Sequence, residues 1–340
     1  MNKPYRFVGY VVASGLPHIT PSQAKRLTHL NIAFGIVKNK VVDVEAIKYY
    51  FRFIPKLREF NPELNILLST GGGNQIGHGE ATADEESLAN FVKSTMDIIR
   101  EYDFDGIDCD WEFPGYYGNK EEKYQHTALL HAYRKELDAY AQERGKKCWL
   151  TIAAAAGQWF IDDVEVEKIH PILDFMNLMT YDLRGWNQPT GHHTNLYEPV
   201  DAPVKFSTKE GVDLLLEVGV PAEKLVIGAA FYSRRWDGVK SCENHGLHQE
   251  AETPGGFGPR YTEIALIYEK SPNFTKYFDD VAKAPWLFDG YSFISYDDPM
   301  SLKYKAAYVK EQGLGGMMYW EHTADSTGTL FNAIYDGLFL

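Results

Sequence analysis

Phe104-Asp105-Gly106-Ile107-Asp108-Cys109-Asp110-Trp111-Glu112-Phe113-Pro114-Gly115 begins as a strand and ends in a turn. Side chains alternate faces along a strand, so Asp108, Asp110 and Glu112 share one face, with successive Cα atoms about 6.6 Å apart. Ile107, Cys109 and Trp111 take the other face. Acids that alternate with apolar residues also describe a strand with one solvated side. The surroundings decide between the two, because strand-like runs alternate with helical ones on both sides of this stretch. That order makes a parallel sheet with helices over it, so both faces of its strands are covered. Three covered carboxylates repel one another, and at least one then holds a proton near neutral pH. A held proton is what a general acid requires.

Working outward, Phe7-Val8-Gly9-Tyr10-Val11-Val12, Leu30-Asn31-Ile32-Ala33-Phe34 and Asn65-Ile66-Leu67-Leu68-Ser69 read as the strands before it. Residues 148–154, 175–180, 225–230 and 316–320 read as the strands after it. Helices are expected at 21–27 with Thr20 as N-cap, and at 43–59, 86–102, 120–143, 164–170, 209–218, 300–311 and 329–336. Eight strand-then-helix units predict an α/β fold, a closed (β/α)₈ TIM barrel, over a doubly wound sheet. The rhythm breaks once, at 231–299, where glycines, prolines and β-like runs such as Tyr268-Glu269-Lys270 and 291–296 replace it. This predicts a small α+β insertion in the seventh βα loop. The domains are then 1–230 with 300–340 for the barrel and 231–299 for the insertion.

The 340 residues are 44% hydrophobic and 24% charged, ordinary values for a globular chain. Against 34 Lys and Arg stand 47 Asp and Glu, a net charge of −13. Such a chain repels phosphate backbones and anionic lipid, so neither nucleic acid nor membrane is an expected partner. Three cysteines, Cys109, Cys148 and Cys242, give neither a disulfide framework nor a metal spacing. Met1-Asn2-Lys3-Pro4-Tyr5-Arg6 lacks the apolar run of a signal peptide, and no stretch reaches 18 apolar residues. The expectation is a cytoplasmic protein, or a secreted one if a leader has been removed. His192-His193 reads as a pair of polar loop histidines, since adjacent histidines rarely share an ion. Gly71-Gly72-Gly73 lacks the Lys-Ser/Thr of a phosphate loop.

The stretch from Asp105 to Glu112 resembles the DGxDxDWE signature of glycoside hydrolase family 18, the chitinases. Ser69-Thr70-Gly71-Gly72, Met179-Thr180-Tyr181-Asp182, Phe231-Tyr232-Ser233-Arg234 and 315–320 resemble the family's other stations, in its order. The resemblance implies a substrate of chitin or GlcNAc oligosaccharides, no cofactor, no metal and a monomer. It implies Glu112 as the acid, Asp110 as the holder of the substrate's 2-acetamido group, and Asp108 as a buried partner sharing a proton with Asp110. The acetamide then serves as nucleophile, the substrate-assisted exception to the two-carboxylate scheme. Tyr181 is implied to steady the intermediate, Trp320 to floor the reacting sugar, and Asp182 and Arg234 to bond the substrate. Ser69 reads as architecture more than chemistry.

Tyr10, Phe34, Met179 and Tyr232 face the barrel interior by parity and either line the cleft or pack in the core. Gly73 stands where many members carry Trp, Phe113 where Tyr is common, and Ser233 where Gly is usual. Other activities remain open at this stage. They are an endo-β-N-acetylglucosaminidase, a peptidoglycan or cortex hydrolase of the same family, and a chitin-binding lectin, against which the retained Glu112 argues.

Overall fold

The computed structural model describes residues 4–73, 76–203 and 205–340, so the reading of residues 1–3 lies outside the described residues. Strands β1 (Arg6–Val12), β2 (His29–Lys38), β3 (Val41–Asp43), β4 (Asn65–Gly71), β5 (Gly106–Asp110), β6 (Trp149–Ala155), β7 (Phe175–Met179) and β8 (Leu225–Ala230) come first. They are followed by β9 (Tyr232–Asp237), β10 (Gly256–Arg260), β11 (Thr275–Asp279), β12 (Ala284–Phe288), β13 (Ser292–Ser295) and β14 (Gly316–Trp320). Parallel pairing runs β1-β14-β8-β7-β6-β5-β4-β2, and β2 pairs back onto β1. That last pairing closes the eight-stranded barrel and excludes a doubly wound sheet. At Gly106 a Cβ would collide with the Trp149 carbonyl, so only glycine lets β5 lie this close to β6.

The main helices follow the predicted rhythm, with short unpredicted helices at Gly77–Ala81 and Gln158–Asp163, 164–170 reduced to Val166–Ile169, and one larger departure. Thr20 caps Pro21–Arg26 through a capping box with Gln23. Residues 43–59, expected as one helix, divide into β3, which turns back antiparallel onto β2, a 3₁₀ stretch Lys48–Phe53 and a helix Ile54–Phe60. Pro55 explains the division. It has no N–H to give an interior helix bond, so it sits in the first turn of a new helix.

Between β8 and Pro299–Glu311 the chain forms a second, antiparallel sheet in the order β10-β9-β13-β12-β11. Trp236, Trp286, Phe288 and Phe293 make its core. The run at 291–296 holds β13, but Tyr268 ends a helical turn, Ile264–Tyr268, instead of belonging to a strand. Where this sheet returns to the barrel, Lys305 and Asp297 form a fully buried ion pair 2.8 Å long. Asp297 also accepts from the Ala230 backbone, Thr194 and Ser301, so the pair joins β8, the loop after β7 and the last helices. Inside the barrel, Val8, Tyr10, Phe175, Val226 and Met318 pack together below the C-terminal strand ends.

Candidate active site

The floor of the site is Asp108. Register sets Ser69 of β4 and Thr151 of β6 level with it on the neighbouring strands. Its Oδ2 accepts from Tyr10 Oη and Ser69 Oγ, each at 2.8 Å. Its Oδ1 accepts from Thr151 Oγ1 at 2.6 Å and Asn177 Nδ2 at 3.2 Å. Complete burial pushes the carboxyl up from its ordinary value, and these four bonds pull it back. Two expectations change here. The hydrogen bonds to Asp108 come from Tyr10, Ser69, Thr151 and Asn177, and none joins it to Asp110 among the described residues. Ser69 is part of the site's polar floor rather than plain architecture.

Asp110 and Glu112 stand above this floor and line a cavity of about 720 Å³ at the C-terminal end of the barrel. Asp110 is buried, and its Oδ1 has no hydrogen-bond partner in the protein. Burial, then the charges of Glu112 and Asp108, hold its proton well above the usual carboxylate range. Burial also raises Glu112, to about 7, and the charge that adds to it is Asp182. Asp110 and Glu112 repel each other as expected of neighbours, and Asp182 in the loop after β7 adds a source of repulsion that was not expected.

Asp182 has a left-handed backbone (φ 57°), and Arg234 Nε donates to its Oδ1 at 2.7 Å. Burial opposes its charge, yet bonds to His193 and Arg234 outweigh burial and lower it to about 2. Arg234 was expected to touch substrate. It is instead fully buried behind Asp182, with its guanidinium 4.1 Å from the ring centres of both Trp186 and Phe257. The histidines lie in a loop as expected, but are buried. His192 meets Asp279 at 3.3 Å and His193 meets Asp182 at 3.6 Å, both with fully buried side chains.

The structure brings the remaining predicted residues to the cavity wall. Trp320 stacks on Phe34, with centroids 5.3 Å apart and planes 20° apart, and Tyr10 lies 5.8 Å from the same indole. Tyr181 and Tyr232 meet edge to face and line the cavity with Met179 and Asp182. Gly73 lies beside the acid, and a Cβ there would be in ordinary contact, 3.6 Å from Glu112 Oε1. Sequence reasoning missed the rim: Tyr116, Tyr117, Trp159, Trp186 and Phe257 all line the cavity and stay at least 40% exposed. One signal was available in Gly115-Tyr116-Tyr117-Gly118, two large aromatics between glycines in a turn.

Among the described residues, no cluster of three or more His, Cys, Asp or Glu side chains is placed to hold a metal ion, and no helix is long and apolar enough to cross a membrane. Glycosyl hydrolases family 18 matches residues 6–325. Chitinase A1 of Niallia circulans is 37% identical over 304 residues, which is 82% of this chain and 43% of that protein. Chitotriosidase-1 of Mus musculus is 35% identical over 86% of this chain and 66% of its own length. The chain thus spans less than half of one curated relative and about two thirds of the other. A solved structure described as a family 18 N-acetylglucosaminidase from Paenibacillus barengoltzii superposes with a TM-score of 0.95 at 44% identity, covering 98% of this chain and all of that one. With a closed barrel, an acid-bearing β5 and a family match along nearly its whole length, the chain belongs to the glycosyl hydrolases of family 18.

Proposed function

We propose that the chain hydrolyses β-1,4-linked N-acetylglucosamine, as chitin or chito-oligosaccharides, with retention of configuration and with the substrate's acetamide as nucleophile. The observation that carries this reading is the pair above the floor. Glu112 lines the cavity with its pKa raised to about 7, and Asp110 beside it is buried, with an Oδ1 that bonds nothing in the protein and a proton that burial favours. A protonated Asp110 is a poor nucleophile and a good hydrogen-bond donor, so it suits an acetamide better than an anomeric carbon. Glu112 gives its proton to the glycosidic oxygen, and the acetamide oxygen closes on C1 as that bond breaks. Water then opens the oxazolinium ring, losing its proton to the Glu112 carboxylate, which restores the acid. Tyr181, at the wall beside them, donates to the intermediate, and Trp320 supplies a flat apolar face for the sugar's C–H groups.

The charged groups named at this cavity are Asp110, Glu112 and Asp182, all acids. Among the described residues no basic side chain lines the cavity to pair with the carboxylate of a muramic acid, which speaks against a peptidoglycan substrate. The Paenibacillus barengoltzii N-acetylglucosaminidase favours a second reading, release of single GlcNAc units from a chain end. Products from a GlcNAc hexamer separate the two: monomer alone in the early phase supports end-release, and dimers or trimers support chitinase action. Efficient cleavage of a cellobioside, which has no acetamide, would contradict both.

A further inference from the structure

β5 ends at Asp110, whose pairing with Gly71 is the last it makes with β4, so Glu112 stands two residues past the strand. Strand register alone therefore does not hold it. Between the two acids lies Trp111, which is 4% exposed and takes no part in the cavity lining. Two histidines from the helix layer clasp its indole. His78, from the short helix Gly77–Ala81, stacks flat on it, with centroids 4.9 Å and planes 12° apart. His126, from the helix Glu122–Arg144, meets it edge to face at 5.7 Å. We propose that His78 and His126 are positioning residues, which clamp Trp111 and so fix the turn that carries Glu112. The proposal rests on the reading of Glu112 as the acid.

His78 is held on every side. Thr82 Oγ1 donates to its carbonyl at 2.8 Å and approaches Gln125 Oε1, on the helix of His126, at 3.3 Å. Phe91 meets the His78 ring edge to face at 5.9 Å. A Cβ at Gly71 (φ 104°) would stand 2.5 Å from His78 Cε1 and collide with the Asp110 carbonyl. His78 and the ends of β4 and β5 thus converge where only a glycine fits. The Gly72 N–H donates to the same Asp110 carbonyl at 2.8 Å, one residue before Trp111. Both imidazoles are buried, and neither His78 nitrogen has a hydrogen-bond partner among the described residues. Burial keeps the rings neutral, pulling His78 down to about 3 and His126 to about 4. A buried polar ring without partners costs stability. What His78 supplies in return is a flat face against the indole.

The experiment separates positioning from plain stability. His78→Ala opens a gap beside Trp111, and kcat on a chromogenic chitobioside is expected to fall by roughly tenfold to a hundredfold, the scale of an acid displaced by up to about 1 Å. KM is expected to stay within about twofold, because the groups that line the cavity are untouched. His78→Phe is expected to recover most of the rate, since the nitrogens it loses bond nothing among the described residues. All variants are assayed well below their melting temperatures, with circular dichroism checking the fold. Should His78→Ala fail to fold, Trp111→Phe, which shrinks the clasped ring, is expected to give the same loss confined to kcat. Full kcat in the folded variant, a loss confined to KM, or a His78→Phe protein as slow as His78→Ala would overturn the clamp. Glu112→Gln is assayed alongside. Near-normal turnover there overturns the acid and the clamp with it, whereas turnover lost there with full kcat in His78→Ala overturns the clamp alone.

Discussion

Asp108 is completely buried and accepts four hydrogen bonds, whereas Tyr117, nine residues further along the chain, is 60% exposed and packs on its neighbour Tyr116. The floor and the rim of this cavity thus follow opposite rules. On the floor, polar atoms are fixed by strands in register, and a lost partner leaves a buried charge unsatisfied. On the rim, large rings stand in loops and gain most of their contact only when a ligand arrives. The floor can therefore set chemistry and protonation, while the rim sets how much of a chain is gripped. Changes on the floor should alter rate, stability and pH dependence, and changes on the rim should alter affinity alone.

The largest effect should come from Glu112→Gln, which keeps the shape and removes the proton. Turnover of a chromogenic chitobioside should fall by about 10²–10⁴ with the melting temperature unchanged. Near-normal turnover would remove Glu112 from the chemistry. Next, Tyr10→Phe takes one of four donors from Asp108, and losing a hydrogen bond to a charged group costs about 1.5–3 kcal/mol. Urea titration should show that loss, and an unchanged midpoint would mean that Asp108 does not depend on its donors.

The third comparison concerns pH. Glu112 works protonated, so activity is lost as pH rises through about 7. Asp182→Asn removes the negative charge that helps keep this proton, and the basic limb of kcat/KM should move to lower pH. Burial favours the protonated form of Asp110, so Asp110→Asn should lower the rate and move the limb less than Asp182→Asn does. A limb that follows position 110 and ignores position 182 would reverse this assignment. The smallest effect belongs to the rim: Trp186→Ala should weaken hexamer binding roughly threefold to tenfold. It should not move the basic limb, and a shifted limb would show that this ring acts through Arg234 and Asp182.

How much of this was legible in the sequence follows the same division. Asp108, Asp110 and Glu112 were readable because a period of two is a local fact, although β5 ends at Asp110 and Glu112 lies two residues beyond it. Their partners were not, since Tyr10 is 98 positions from Asp108 and Asn177 is 69, and only barrel closure brings them together. His192 and His193 read as polar loop histidines and do lie in a loop, but their burial was not readable because their cover is distant: Ser295 of β13, 102 residues on, bonds the His193 backbone. Asp182 was found by resemblance, but its effect on Glu112 depends on a loop whose path no periodicity records. The single predicted helix at 43–59 failed at Pro55, where the apolar stripe continued through a residue that cannot stay inside a helix. The rim aromatics carry no period at all, because turns place them one by one.

The buried pair of Asp297 and Lys305 has a consequence on another timescale. Losing either partner alone strands a charge in the interior, at about 3–5 kcal/mol, a large share of the 5–15 kcal/mol that typically separates folded from unfolded chains. Replacing both at once by apolar residues of similar volume can be nearly neutral. Among descendants of this sequence, neither position should therefore drift by single steps. The two should be inherited as one character, kept together or exchanged together, although seven residues and two codons' worth of independent mutation lie between them.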